Sequence, residues 1–113
     1  MAKTTALIVF LIAGIPSVAS AKDIRFWNLT ANTITSLQLS PAGQNEWGHN
    51  QTSNDPDRTV DHDERLKITD TAPGLYDVKL VDKSGRTCVV ANIQVAAWAI
   101  FSIEEKNLKD CTR

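Results

Sequence analysis

The chain has 113 residues, with 12 Lys and Arg against 13 Asp and Glu, a formal net charge of −1. That length allows one domain. There is no basic block or stripe of the kind a nucleic-acid binder carries, and no basic amphipathic segment that favours a membrane surface.

Residues 1–21, "MAKTTALIVFLIAGIPSVASA", read as a cleaved secretory signal peptide: Lys3 in a short n-region, an apolar run from Ala6 to Ile15, then an A-x-A ending at Ala19 and Ala21. The run is far short of the roughly 20 residues that a spanning helix needs, so no membrane span is expected, and the destination is secreted or periplasmic. Removing Lys3 with the leader leaves 11 basic against 13 acidic residues, a net charge of −2 for residues 22–113. A domain that small buries only about 60–65% of its unfolded surface and calls for a staple. Cys88 and Cys111 are too far apart for a C-x-x-C redox or metal pair and read as one disulfide. It closes a loop of about 24 residues, worth roughly 3 kcal/mol.

Short segments of period-2 patterning separated by turn-forming clusters follow, the pattern of an all-β protein. "DIRFW", residues 23–27, sets Ile24 and Phe26 against Asp23, Arg25 and Trp27. "TITSLQLS", residues 33–40, places Leu37 and Leu39 on one face, and "RLKIT", residues 65–69, pairs Leu66 with Ile68. "LYDVKLVD", residues 75–82, alternates most cleanly, with Tyr76, Val78 and Leu80 inward and Asp77 and Lys79 outward. A "KSGR" turn at 83–86 then returns the chain as the partner strand "TCVVANIQV". "AAWAIFSI", residues 96–103, is apolar on both faces and is read as a covered strand with Trp98 in the core, a buried helix being the alternative. About six strands define a small antiparallel β-sandwich, Ig-like or prealbumin-like, spanning residues 22–113 as one domain.

The irregular stretch from Pro41 to Asp63 is long enough to be functional or flexible. Trp47 lies within it between Gly43 and Gly48. Ordering such a loop costs on the order of 1 kcal/mol per residue, which favours Trp47 as an anchor on the sheet over a ligand platform. With His49 and Asn50 it forms the candidate recognition surface, and the loop from residue 40 to 64 is the expected contact region for a protein or glycan partner. Asp55, Asp57, Asp61, His62 and Asp63 supply the clustered oxygens that a divalent cation needs, calcium first and zinc as the alternative metal. The rival reading is a solvated loop that blunts a sheet edge. His49 and His62, without a placed third ligand, are read as solvent-exposed. "NLT" at Asn28 and "NQT" at Asn50 match the glycosylation sequon. No G-x-S-x-G elbow or phosphate-binding Gly-rich loop occurs, so no catalytic residue is nominated and a small hydrolase is the least favoured reading.

Ser40-Pro41-Ala42-Gly43, Trp47-Gly48, Tyr76-Asp77-Val78, Leu80, Asp82, Gly85, Cys88 and Asn92 together resemble a family of small secreted bacterial β-domain proteins of unknown function. Its members share an "SPAG" strand end, a "WG" loop and a "YDV-L-D--G--C" hairpin. The resemblance covers residues 37–95 and departs from the family between residues 51 and 64. It implies an exported β-domain and supplies no catalytic residues. The expectation is a non-enzymatic secreted or periplasmic binding or accessory module without a cofactor. A divalent-metal-binding domain is the alternative.

Overall fold

A computed structural model describes residues 23–113; the leader expected at residues 1–21 lies outside the described residues. Among the described residues seven strands form: β1 (Ile24–Leu29), β2 (Ile34–Pro41), β3 (Arg65–Ile68), β4 (Gly74–Asp82), β5 (Thr87–Val95), β6 (Ile100–Glu104) and β7 (Cys111–Thr112). They build two sheets, a three-stranded one in the order β3-β1-β6 and a four-stranded one in the order β2-β4-β5-β7. Among the described residues no helix is long and apolar enough to cross a membrane.

The alternation in the sequence sets which side chains face between the sheets. Ile24 and Phe26 of β1, Leu66 and Ile68 of β3, Val78 and Leu80 of β4, and Phe101 and Ile103 of β6 are all buried. Phe26 and Phe101 lie side by side in register with ring centroids 5.4 Å apart, and their tilted rings fill the centre of the three-stranded layer. In β2 the register shifts between Ile34 and Ser36. That irregularity changes the phase, so Ile34 and Leu37 both reach the core although they are three residues apart.

The β4–β5 hairpin forms as the "KSGR" turn predicts. Gly85 sits at φ 91°, donating to the Asp82 carbonyl at 3.0 Å. Cys88 and Cys111 are joined in a disulfide that fastens the short β7 to β5. Two features differ from the sequence reading. β6 runs parallel to β1 because the chain crosses from one sheet to the other before it, so the sandwich is antiparallel except at this pair. The crossing itself is a turn at residues 96–99, and the strand begins only at Ile100. Trp98 is consequently not in the core: it is 69% exposed at the turn, with φ at 61°.

Candidate functional site

The loop after β2 folds back along that strand's free edge. Gly48 N–H donates to the Leu39 carbonyl at 2.9 Å, and Ser40 Oγ accepts the Glu46 N–H at 2.8 Å. Asn50 Oδ1 takes the Leu37 N–H at 2.9 Å, the Thr52 N–H at 3.0 Å and the Thr52 hydroxyl at 2.9 Å. Val60 closes the far end through a reciprocal pair of 2.9 Å bonds with Ile34. Trp47 is half-buried, with Lys79 Nζ 4.6 Å from its ring centroid, so the indole lies on the outer face of the four-stranded sheet.

The same loop reaches the other layer. Buried Gln51 accepts the Thr69 N–H and donates to the Thr69 carbonyl, both at 2.9 Å, and Asn54 donates to the Lys67 carbonyl at 2.8 Å. One flank of the sandwich is thereby sealed, with β2 and β3 capped by side-chain amides and hydroxyls in place of further strands. His49 is exposed, its Nε2 3.3 Å from the Thr69 hydroxyl.

The acidic residues are dispersed along local turns. Asp55 accepts the Asp57 N–H at 2.9 Å, Asp61 the Thr33 hydroxyl at 3.0 Å, and Asp63 the Trp27 indole N–H at 2.9 Å. His62 Nδ1 lies 2.7 Å from the Thr30 carbonyl. Among the described residues no group of three or more His, Cys, Asp or Glu is placed to hold a metal ion. Glu64 accepts the Asp61 N–H at 2.8 Å. Burial pushes its carboxyl up, and nearby Asp55 and Asp61 add to that by repulsion, against the lowering effect of the Asp61 N–H bond. Both sequon asparagines are engaged internally. Asn28 is fully buried, donating to the carbonyls of Val60 at 2.8 Å and Asn32 at 3.0 Å. A glycan on that nitrogen is incompatible with these bonds.

The residues behind the resemblance converge on one carboxylate. Asp77 accepts the Gly43 N–H at 2.9 Å from the "SPAG" turn and the Asn92 N–H at 3.1 Å from the bulge in β5. It ties β4 to segments on either side, and Gly43 reaches it with φ at 77°.

The strongest polar cluster was not nominated from the sequence. Asp82 continues the inward phase of β4, and its side chain has no exposed surface. One oxygen accepts the Ser84 N–H at 3.0 Å and hydroxyl at 2.6 Å, and the other accepts Arg86 Nε at 3.0 Å. Arg86 also pairs with Glu105 at 2.7 Å, and Glu105 accepts the Ala31 N–H at 2.9 Å. Burial alone raises the Asp82 carboxyl, but bonds from Ser84, Arg86 and Asn32 outweigh it and hold the group at about 2. Glu105 is lowered by Arg86 and by the Ala31 N–H, and Arg86 is raised by its bonds to both carboxylates. The Asp-x-Ser-Gly-Arg pattern at the turn signals the Ser84 and Arg86 contacts; nothing near it signals Glu105.

The three indoles differ in what covers them. Arg65 lies over Trp27 with its guanidinium carbon 4.1 Å from the ring centroid, and Lys79 lies over Trp47. Among the described residues no cation covers Trp98, and Ile100, two residues on, is 50% exposed. Comparison with known proteins brings no match: no family model, curated protein or solved structure is similar to this chain at a significant level.

Proposed function

We propose that this chain is a non-catalytic exported binding module that engages a protein or glycan partner through the apolar corner made by Trp98 and Ile100. The observation that carries the reading is the state of Trp98. Its indole is 69% exposed while its backbone sits at φ 61°, a left-handed conformation that costs a bulky residue roughly 1–2 kcal/mol. A side chain left mostly in solvent on a left-handed backbone gains little from folding at this position. A large, rigid, amphipathic group held out in solvent is suited to anchoring a partner. The leader-like N-terminus and the disulfide fit export. The 40–64 loop, which holds Trp47, His49 and Asn50, serves this module as scaffold, since Asn50, Gln51 and Asn54 bond it to the sheets.

The test is Trp98→Gly in the exported chain. Glycine removes the strain, so stability is expected to rise by about 1 kcal/mol. A photo-crosslinking residue at position 98 is expected to trap a discrete adduct, where the same residue at Lys83 on the hairpin tip traps none. For a glycan partner, soluble envelope polysaccharide quenches tryptophan fluorescence in the wild type and not in Trp98→Gly. The reading fails if position 98 traps nothing and Trp98→Gly leaves the polysaccharide response unchanged.

A further inference from the structure

The sheet edges of this domain are treated unequally. The β2 edge is capped by Gly48, Asn50 and Val60, and the β3 edge by Gln51 and Asn54. The β5 edge is covered by β7 as far as Val89, which donates to the Asp110 carbonyl, and beyond that it is bent by the bulge at Asn92. β7 itself is an edge of only two residues, too short to template a partner strand, which leaves β6 as the longer open edge. Arg25 N–H donates to the Ala99 carbonyl at 3.1 Å, so alternation along the parallel ladder turns the backbone groups of Ile100, Ser102 and Glu104 away from β1. Of these, the Glu104 N–H is satisfied by Asn107 Oδ1 at 2.7 Å. Among the described residues nothing bonds the outer groups of Ile100 and Ser102. The strand carries neither Lys nor Pro, the usual guards of an exposed edge, and begins beside exposed Trp98 and Ile100.

We propose that the occupant of this edge is a second copy of the same chain, β6 pairing antiparallel with β6 of its partner about Ser102. This rests on the reading of Trp98 and Ile100 as a contact surface and names the partner. Charge along the strand supports a two-fold pairing. Exposed Arg25, which also meets Asp23 at 3.2 Å, is the cross-strand neighbour of Ile100 at one end, and Glu104, which also meets Lys106 at 3.4 Å, stands at the other; both contacts are solvent-exposed and free to exchange. Antiparallel self-pairing sets Ile100 opposite the partner's Glu104. Arg25 then lies two strand spacings, about 10 Å, from that carboxylate, a gap the two side chains together span. The two-fold axis makes the contact twice. Ser102 N–H and C=O bond their counterparts, and each Ile100 N–H gains the partner's Glu104 carbonyl. The result is a continuous six-stranded sheet with Trp98 at either end of the seam. One short edge buries less than the ~1,600 Å² of a standard interface, so the dimer is weak, micromolar or above.

The experiment is sedimentation velocity on the chain expressed from its full sequence and purified from the exported fraction, across a concentration series. A reversible monomer–dimer equilibrium is expected. Ser102→Pro removes an outward N–H, which edge strands tolerate, and should leave a monomer with an unchanged melt. Glu104→Arg should weaken dimerisation about tenfold or more, and Arg25→Glu combined with Glu104→Arg should restore it. Ser102→Lys is the second edge variant if Ser102→Pro fails to fold: it sets two like charges opposite each other across the two-fold, with the same monomeric outcome expected. A wild type that stays monomeric throughout overturns the proposal. So does a dimer that survives both edge variants, or one that the charge swap fails to rescue. Failure here leaves the binding reading standing if position 98 traps a different protein; loss of that reading instead shows as no adduct at position 98 and no effect of Trp98→Gly.

Discussion

Replacing Asp82 with Asn keeps the size of the side chain and removes its charge, so it isolates what the buried carboxylate contributes. In the folded chain this group titrates at about 2, against an ordinary value of 3.8. A folded pKa below the unfolded one means that stability is fully present above the unfolded value and is lost as pH falls through the folded one. A lowering of nearly two pH units corresponds to ~2 kcal/mol at neutral pH. Linkage leaves about half of this at pH 3 and little of it at pH 2. Urea unfolding of both proteins at pH 7, 3 and 2 measures it. With a slope of about 1 kcal/mol per molar for a domain this small, the pH 7 midpoint of Asp82→Asn should fall by roughly 2 M. Arg86 adds to the loss because its guanidinium, only 16% exposed, keeps Glu105 but forfeits its second carboxylate. The pH profile is the decisive part. If the gap between the two proteins stays constant down to pH 2, the contribution is steric and the electrostatic account is wrong.

Two further outcomes follow from the loop. Asn50→Ala leaves the Leu37 and Thr52 N–H groups without their acceptor, so a loss of about 2 kcal/mol is expected, with hydrogen exchange at Leu37 accelerating before exchange at Leu80. Equal acceleration at both positions would show that the loop and the sheets open as one unit. Calcium or zinc at about 1 mM is expected to move the melting temperature by no more than about 1 °C, since the acidic side chains bond separate local groups. A rise of several degrees with one metal, abolished by Asp61→Asn, would show that these carboxylates gather around it.

The elements readable from sequence are those in which one local rule decides. In β4, alternation alone places Val78 and Leu80 inside, and a Gly-containing turn returns the chain as β5. Trp98 was misplaced because an apolar run signals burial on average, while its exposure depends on a left-handed backbone at the crossing between sheets. The bulge near Thr35 escaped for the same reason, since register shifts answer to the partner strand. Asp82 lies at the end of β4, where the phase that buries Leu80 continues to it; its partners come from the turn, and Arg86 carries the cluster on to Glu105, which no local rule signals. In the acidic loop, composition was plain but destination was not. Whether Asp61 meets Thr33 or a cation is set by contacts 28 residues apart in the chain.

The loop between β2 and β3 explains how so small a sandwich protects itself without extra strands. Ordering more than twenty residues costs on the order of 1 kcal/mol or more for each, whereas each hydrogen bond returns only about that much net. The amides of Asn50, Gln51 and Asn54 therefore cannot hold it alone. The balance comes from burial: Val60 is fully inaccessible, Gln51 and Thr52 nearly so, and Trp47 covers part of the outer sheet beneath Lys79. An arrangement that commits so many side chains to closing β2 and β3 makes the bare edge of β6 informative. The same chain places strained, exposed Trp98 at the start of that edge, and both features are explained if the edge is completed by another strand.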